Sequence, residues 1–398
     1  MRRPTAPRPR TLAPDVALAT ELTDLRIERL RERRSAKWTF YGPDVLPAFV
    51  AEMDFPLAPP IKEALHRAID LDDTGYANPE ATDIGVNLAA FAERRMGWSP
   101  DPAQVVACND VVAGLRDLLR VITAPGDPVI VTPPVYHPFF TLVPEAGCEV
   151  LEVPLAGGRA LDLDGIADGF AAGARAMVLC NPHNPTGVVC ARAELEALAD
   201  LAVEHEAWIL SDEIHAPLTL PGAQHVPFID VSDNAAARGI SLVSASKAFN
   251  LAGLGCAQIV TAADPALTAA GTLPFSARHC SHIGAIATEA AYGSGDAWLD
   301  SVLDVLDHNR TLLGELLDRH LPDAVYVPPA AGYLAWIDLS AYDLGSDPAG
   351  RLLERGRIAI NGGPMFGRGG EGFIRLNVGT SPDLMTEAVE RIAGVVHG

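Results

Sequence analysis

The chain is 398 residues long, 48% apolar and 20% charged, a balance that excludes an intrinsically disordered protein and gives enough chain for about two domains. Its 30 lysines and arginines against 51 aspartates and glutamates leave a net charge of -21, which argues against non-specific binding to nucleic acid phosphates or anionic lipid. The six cysteines are scattered with no CxxC pair, as in a protein of a reducing compartment. No apolar run approaches the ~20 residues that a bilayer requires, so the expected location is the cytoplasm, without membrane or nucleic acid partners.

Residues 1–20 are basic and proline-rich at their start, with no signal-peptide apolar core, and predict a flexible tail. Residues 21–57 read as an N-terminal arm that also joins a smaller domain. Residues 58–294 alternate short apolar runs with helix-like stretches, and form the expected large domain. Its candidate strands are Val129-Ile130-Val131, Ala176-Met177-Val178-Leu179, Ala207-Trp208-Ile209-Leu210, Ile240-Ser241-Leu242-Val243 and Ala257-Gln258-Ile259-Val260. Between the third and second of these lies a helical pattern in which Leu195, Leu198 and Leu201 recur about one turn apart. Buried strands alternating with helices predict an α/β sheet, mostly parallel and covered on both faces. Residues 295–398 begin with a long helix marked by Leu299, Val302, Leu306, Leu313 and Leu316, run through strand-like Tyr333-Leu334-Ala335-Trp336-Ile337 and Gly372-Phe373-Ile374-Arg375-Leu376-Asn377, and close on a helix. They predict a smaller α+β domain. Pro56, Pro59, Pro60 and the glycine-rich stretch 362–372 read as turns or hinges.

Three polar clusters follow three of the predicted strands: Asn181-Pro182-His183-Asn184-Pro185-Thr186-Gly187, Ser211-Asp212-Glu213-Ile214-His215 and Ser244-Ala245-Ser246-Lys247-Ala248-Phe249-Asn250. Ligands of open α/β sheets bind outside the carboxyl ends of the strands, which would gather Asn184, Asp212 and Lys247 around one crevice. A lysine held among small and apolar residues can capture an aldehyde covalently. A carboxylate beside a pyridine nitrogen keeps it protonated, and an amide can donate to a phenolate oxygen. Together these groups suit pyridoxal 5'-phosphate, with Lys247 also placed to move protons at Cα as base and acid.

The combined motifs resemble the fold-type I pyridoxal-phosphate enzymes of the aminotransferase class I/II superfamily. Lys37-Trp38, Ala51-Glu52-Met53-Asp54-Phe55, Gly75-Tyr76, Pro134-Val135-Tyr136-His137-Pro138 and Arg375-Leu376-Asn377 resemble more closely the bacterial C-S β-lyases related to cystathionine β-lyase, the group that contains a maltose-regulon modulator. The resemblance implies that Tyr136 stacks on the pyridine ring and that Arg375 grips the substrate α-carboxylate, with Asn184 and Trp38 beside the substrate. It implies phosphate binding by Ser244 and by backbone N–H groups at Val111 and Val112, where a helix begins. Tyr76 would reach the cofactor phosphate of the neighbouring subunit as a catalytic and cofactor-binding residue, making a homodimer with shared sites. Two positions depart from the wider superfamily: His215 stands where aminotransferases commonly have tyrosine, and Gly255 where many have a phosphate-binding arginine.

Plainer readings stand beside these. Asp212 suits a helix N-cap, Asn184 a turn, Ser244 a backbone cap, and His215 and Trp38 the core, while Cys180 and Cys256 read as structural thiols. The expected reaction is α,β-elimination from L-cystathionine or a related cysteine S-conjugate, giving a thiol, pyruvate and ammonia. Transamination of an amino acid is the alternative. A regulatory protein without catalysis is the third reading, disfavoured because Lys247 and Asp212 are both present.

Overall fold

The computed structural model describes residues 21–78 and 82–398; the expected N-terminal tail, residues 1–20, lies outside them. The centre is a seven-stranded sheet built from β1 (Val105–Cys108), β2 (Pro128–Val131), β3 (Glu149–Glu152), β4 (Ala176–Cys180), β5 (Trp208–Asp212), β6 (Gly239–Val243) and β7 (Ala257–Val260). Their spatial order is β1-β7-β6-β5-β4-β2-β3. Strands β2 to β6 are parallel, and β7 is antiparallel to both of its neighbours. The sheet is therefore mostly parallel, as the runs of β-branched and apolar residues implied.

Alternate residues of each strand enter different cores, because successive side chains point to opposite faces. Val129, Val131, Val178, Leu210, Leu242 and Ile259 face the helices Val111–Ile122 and Phe139–Glu145. Ile130, Met177, Leu179 and Ile209 face the other way, towards Leu195, Leu198 and Ala202 of the helix Arg192–Glu204. Both faces are covered, and the carboxyl edge of the sheet is left to carry the loops.

A four-stranded antiparallel sheet follows, ordered β10-β11-β9-β8, with β8 (Val325–Tyr326), β9 (Leu334–Asp338), β10 (Asn361–Gly362) and β11 (Phe373–Asn377). The helices Asp296–His320 and Pro382–His397 pack with it. Asn309, buried on the first of these, donates from Nδ2 to the carbonyls of Val378 and Thr380 at 2.8 Å each. The N-terminal lead-in joins this region through Leu46–Pro47, which pairs in parallel with Ile358–Ala359.

One expectation is corrected. Pro59 and Pro60 are not a turn or hinge but the first residues of the helix Pro59–Asp70. Proline has no N–H to lose at a helix start, and its fixed φ suits the first turn. None of the described helices is long and apolar enough to cross a membrane.

Candidate active site

The carboxyl ends of β4, β5 and β6 deliver the three polar clusters to one pocket of about 170 Å³. Asn184, Asp212, His215, Ser244, Lys247 and Tyr136 all line it, together with Val111 and Val112 from the start of the helix Val111–Ile122. Because β7 runs against its neighbours, its amino end lies at the same edge and adds Gly255 and Cys256.

Asp212 ends β5 and is almost fully buried. Its Oδ1 accepts from the backbone N–H of Ile214 at 3.1 Å, and none of the ion pairs among the described residues includes it. Burial pushes its carboxyl up to about 7, against the opposing hydrogen bond from Ile214 and the charge of Lys247. A carboxylate so placed favours a cationic N–H partner in the pocket.

Lys247 sits in the short helix Ala245–Ala248, capped by Ser244. Its Nζ donates to the carbonyl oxygen of Ala51 at 2.9 Å. Burial and the charge of Arg375 pull the amine down to about 8, with Asp212 and Glu52 opposing. An amine with that value is partly neutral near physiological pH, as a nucleophile or base requires.

Arg375, buried on β11, donates from Nη1 to Asn184 Oδ1 at 3.0 Å and from Nη2 to the Phe49 carbonyl at 2.9 Å and Asn361 Oδ1 at 2.6 Å. Guanidinium only donates, so the amide oxygen of Asn184 must face it, and the amide NH2 remains for another acceptor. No carboxylate pairs with Arg375 among the described ion pairs, and its buried Nε has no partner. Its guanidinium lies 5.0 Å from the ring centre of Phe366. Arg375 is thus held by amide and carbonyl oxygens rather than by an acid.

Ser244 Oγ donates to the Cys256 carbonyl at 2.7 Å and accepts from Ser246 N–H at 3.0 Å, the backbone-cap arrangement. Val111 and Val112, the first two residues of the helix Val111–Ile122, line the pocket, while the Asp110 side chain accepts from Ala113 N–H at 2.8 Å. Gly255 has φ +60, and a Cβ there would come within 2.8 Å of Asn109 Oδ1, so an arginine in its place would be strained in its backbone and would displace the Asn109 amide. His215 is held neutral, its imidazole pulled down to about 3 by burial and by the charges of Lys247 and Arg375. Burial raises the Tyr136 phenol to about 12, so it stays protonated.

Three expected residues are not among those that line the pocket: Arg375 adjoins it through Asn184, and the other two lie elsewhere. Trp38 is not in the pocket wall: its indole Nε1 donates to Asp54 Oδ1 at 3.2 Å. Tyr76 is fully exposed at the surface of the single chain. Other residues at the site were missed by sequence reasoning. Ser246 and Asn109 line the pocket, and Ser246, one residue before the lysine, was legible as a second hydroxyl. Tyr333, whose hydroxyl donates to the Ala51 carbonyl at 2.9 Å, carried no sequence signal beyond opening a strand.

The profile of the family described as aminotransferase class I and II matches residues 50–392. A relative from Mycobacterium leprae is 41% identical over 394 residues, covering 93% of this chain and 97% of its own. The cystathionine beta-lyase of Corynebacterium glutamicum is 38% identical over 371 residues, covering 93% of this chain and 99% of its own. The crystal structure of a pyridoxal-phosphate-bound C-S lyase from Staphylococcus hominis superposes with a TM-score of 0.85 at 28% identity, covering 94% of this chain and 98% of that one.

Proposed function

The chain belongs to the aminotransferase class I and II family, and from that premise we propose that it is a pyridoxal 5'-phosphate-dependent carbon–sulfur lyase. Its substrate is L-cystathionine or a related cysteine S-conjugate, cleaved by α,β-elimination to a thiol (homocysteine from cystathionine), pyruvate and ammonia. One observation carries this reading. The Asp212 carboxylate, the Lys247 amine and the Asn184 amide line a single pocket in a chain 38% identical to a cystathionine beta-lyase.

The donor set fits the cofactor. Asp212 offers a carboxylate without a cation, Asn184 an amide NH2 whose oxygen is already engaged, and Lys247 a partly neutral amine. Bound there, the cofactor supplies an electron sink for the charge left when Cα loses its proton. Asp212 would hold a proton on the ring nitrogen by charge, Asn184 would donate to the phenolate oxygen, and Tyr136 would stack against the ring. Val111 and Val112 N–H groups, with Ser244 once its hydroxyl turns from Cys256, would hold the phosphate. Arg375 supplies a planar fork for the α-carboxylate. Lys247 takes the proton from Cα. The Cβ–S electron pair leaves with sulfur, which becomes a thiol on protonation. Water completes the remaining three-carbon unit as pyruvate and ammonia.

The active unit we infer is a homodimer in which Tyr76 reaches the neighbouring site; its full exposure beside exposed Ile69 and Leu71 supports that reading. The six free cysteines, all buried, support a cytoplasmic location. The division of the chain into 21–57, 58–294 and 295–398 is supported by the seven strands of the large sheet lying within 105–260 and the smaller sheet within 325–377.

The test is incubation of the purified holoenzyme with L-cystathionine and no keto acid. Free thiol and pyruvate should appear in equal amounts. Turnover that requires an added keto acid, with no thiol released, would instead establish an aminotransferase.

A further inference from the structure

The segment from Val50 to Met53 has no regular structure, yet each of its carbonyls accepts from a side chain. Asn377 Nδ2 donates to the oxygens of both Val50 and Glu52, at 2.7 Å each, and Asn250 Nδ2 donates to that of Met53 at 2.9 Å. Asn250 also accepts from the Met53 N–H at 3.0 Å, so the lysine-bearing loop and this segment are fixed to each other. The carbonyl between them, that of Ala51, is held towards the pocket and takes two donors: Lys247 Nζ and Tyr333 Oη, each at 2.9 Å.

We propose that Tyr333 is a positioning residue for Lys247, sharing the Ala51 carbonyl so that the freed amine is held at the pocket without being locked there as an ammonium. The proposal rests on Lys247 being the group that carries the Cα proton. A carbonyl oxygen has two lone pairs, and a phenol occupying one reduces what the oxygen can offer a charged donor. The amine then keeps its own lone pair available. The charged and titratable groups facing it are Asp212 from β5 and Glu52 from the lead-in, which favour the ammonium, and Arg375 from β11, which opposes it. His215, whose ring meets that of Tyr333 edge-on at 6.0 Å, is neutral and adds no charge. Tyr333 is itself buried, its phenol raised far above its ordinary range by that burial, so it stays a hydroxyl donor throughout the working pH.

Tyr333→Phe keeps the ring and removes the donor. In the holoenzyme the ascending limb of kcat against pH should move up by about half to one pH unit, the scale of one hydrogen bond, with KM unchanged. In cofactor-free protein, the pH midpoint for acetylation of Lys247 by acetic anhydride, followed by peptide mass spectrometry, should rise by the same amount. Tyr333→Leu should give the same midpoint shift if it folds, since it too lacks the hydroxyl. Unchanged midpoints in Tyr333→Phe for both kcat and acetylation would overturn the proposal, as would a change confined to KM. The acetylation arm reads Lys247 whether or not cystathionine is the substrate, so failure here and failure of the lyase reading are distinguishable.

Discussion

Lys37 and Asp54 form an ion pair closed off from solvent, 2.8 Å apart with side chains only 1% and 3% exposed. Lys37 also donates to the Glu52 carbonyl at 3.0 Å, and Asp54 accepts from Trp38 Nε1 at 3.2 Å. The pair therefore anchors the segment whose Ala51 carbonyl faces Lys247. Lys37→Met strands a buried carboxylate and should destabilise the protein by about 3–5 kcal/mol. Adding Asp54→Leu should recover part of that loss, although Trp38 then loses its acceptor. Denaturant unfolding of both variants measures the difference.

Asp212 gives a pH-dependent prediction. Its folded-state value of about 7 lies above the ordinary 3.8, so the folded protein binds the proton more tightly than the unfolded chain. The resulting stability is fully present below about pH 3.8 and is lost as pH rises through about 7. Cofactor-free Asp212→Asn should therefore melt higher than cofactor-free wild type at pH 8, by an amount on the order of 1–4 kcal/mol, with the gap narrowing towards pH 5. Addition of pyridoxal phosphate should reverse the order, because the neutral amide brings no negative charge to a protonated ring nitrogen. Thermal melts with and without cofactor check both signs.

Arg375→Lys replaces a fixed fork by a point charge. It should lower kcat/KM for cysteine conjugates by roughly 10²-fold. Conjugates of cysteamine, which lack the α-carboxylate, should be turned over equally slowly by both proteins. A comparison of the two substrate classes separates carboxylate binding from general damage to the pocket.

Shared sites make a further prediction about assembly. Lys247→Ala should lose on the order of 10³-fold or more in turnover, and Tyr76→Ala should be strongly impaired. Random mixing of the two, after dissociation and reassembly, gives hybrids that carry one native site each, so about a quarter of wild-type activity should return. No recovery on mixing would place Tyr76 and Lys247 in the same subunit's site.

The sheet and the core of the site were readable along the chain because their signals are local. Mostly apolar runs of three or four residues marked β2, β4, β5, β6 and β7, and the polar cluster after each of three strands announced Asn184, Asp212 and Lys247. The strands β1 and β3 are absent from that reading: β3 is bounded by Glu149 and Glu152 and so is no apolar run, whereas Val105-Val106-Ala107-Cys108 of β1 is as apolar as the strands that were read. Pro59 and Pro60 misled because proline suits a turn and a helix start equally well.

By itself the sequence determined which side chains bring chemistry: an amine, a carboxylate, an amide and a guanidinium, each at the end or on the face of a recognisable strand. Only the tertiary structure decided how they are held. The Ala51 carbonyl that receives Lys247 from 196 positions away, and Tyr333 from 282, is a backbone atom that every residue possesses, so no residue type could mark it. Its direction is set by Asn377 and Asn250 gripping its neighbours. Side-chain identity is written in the chain, but a hydrogen bond to main chain is a matter of distance and angle, which exist only once the chain has folded.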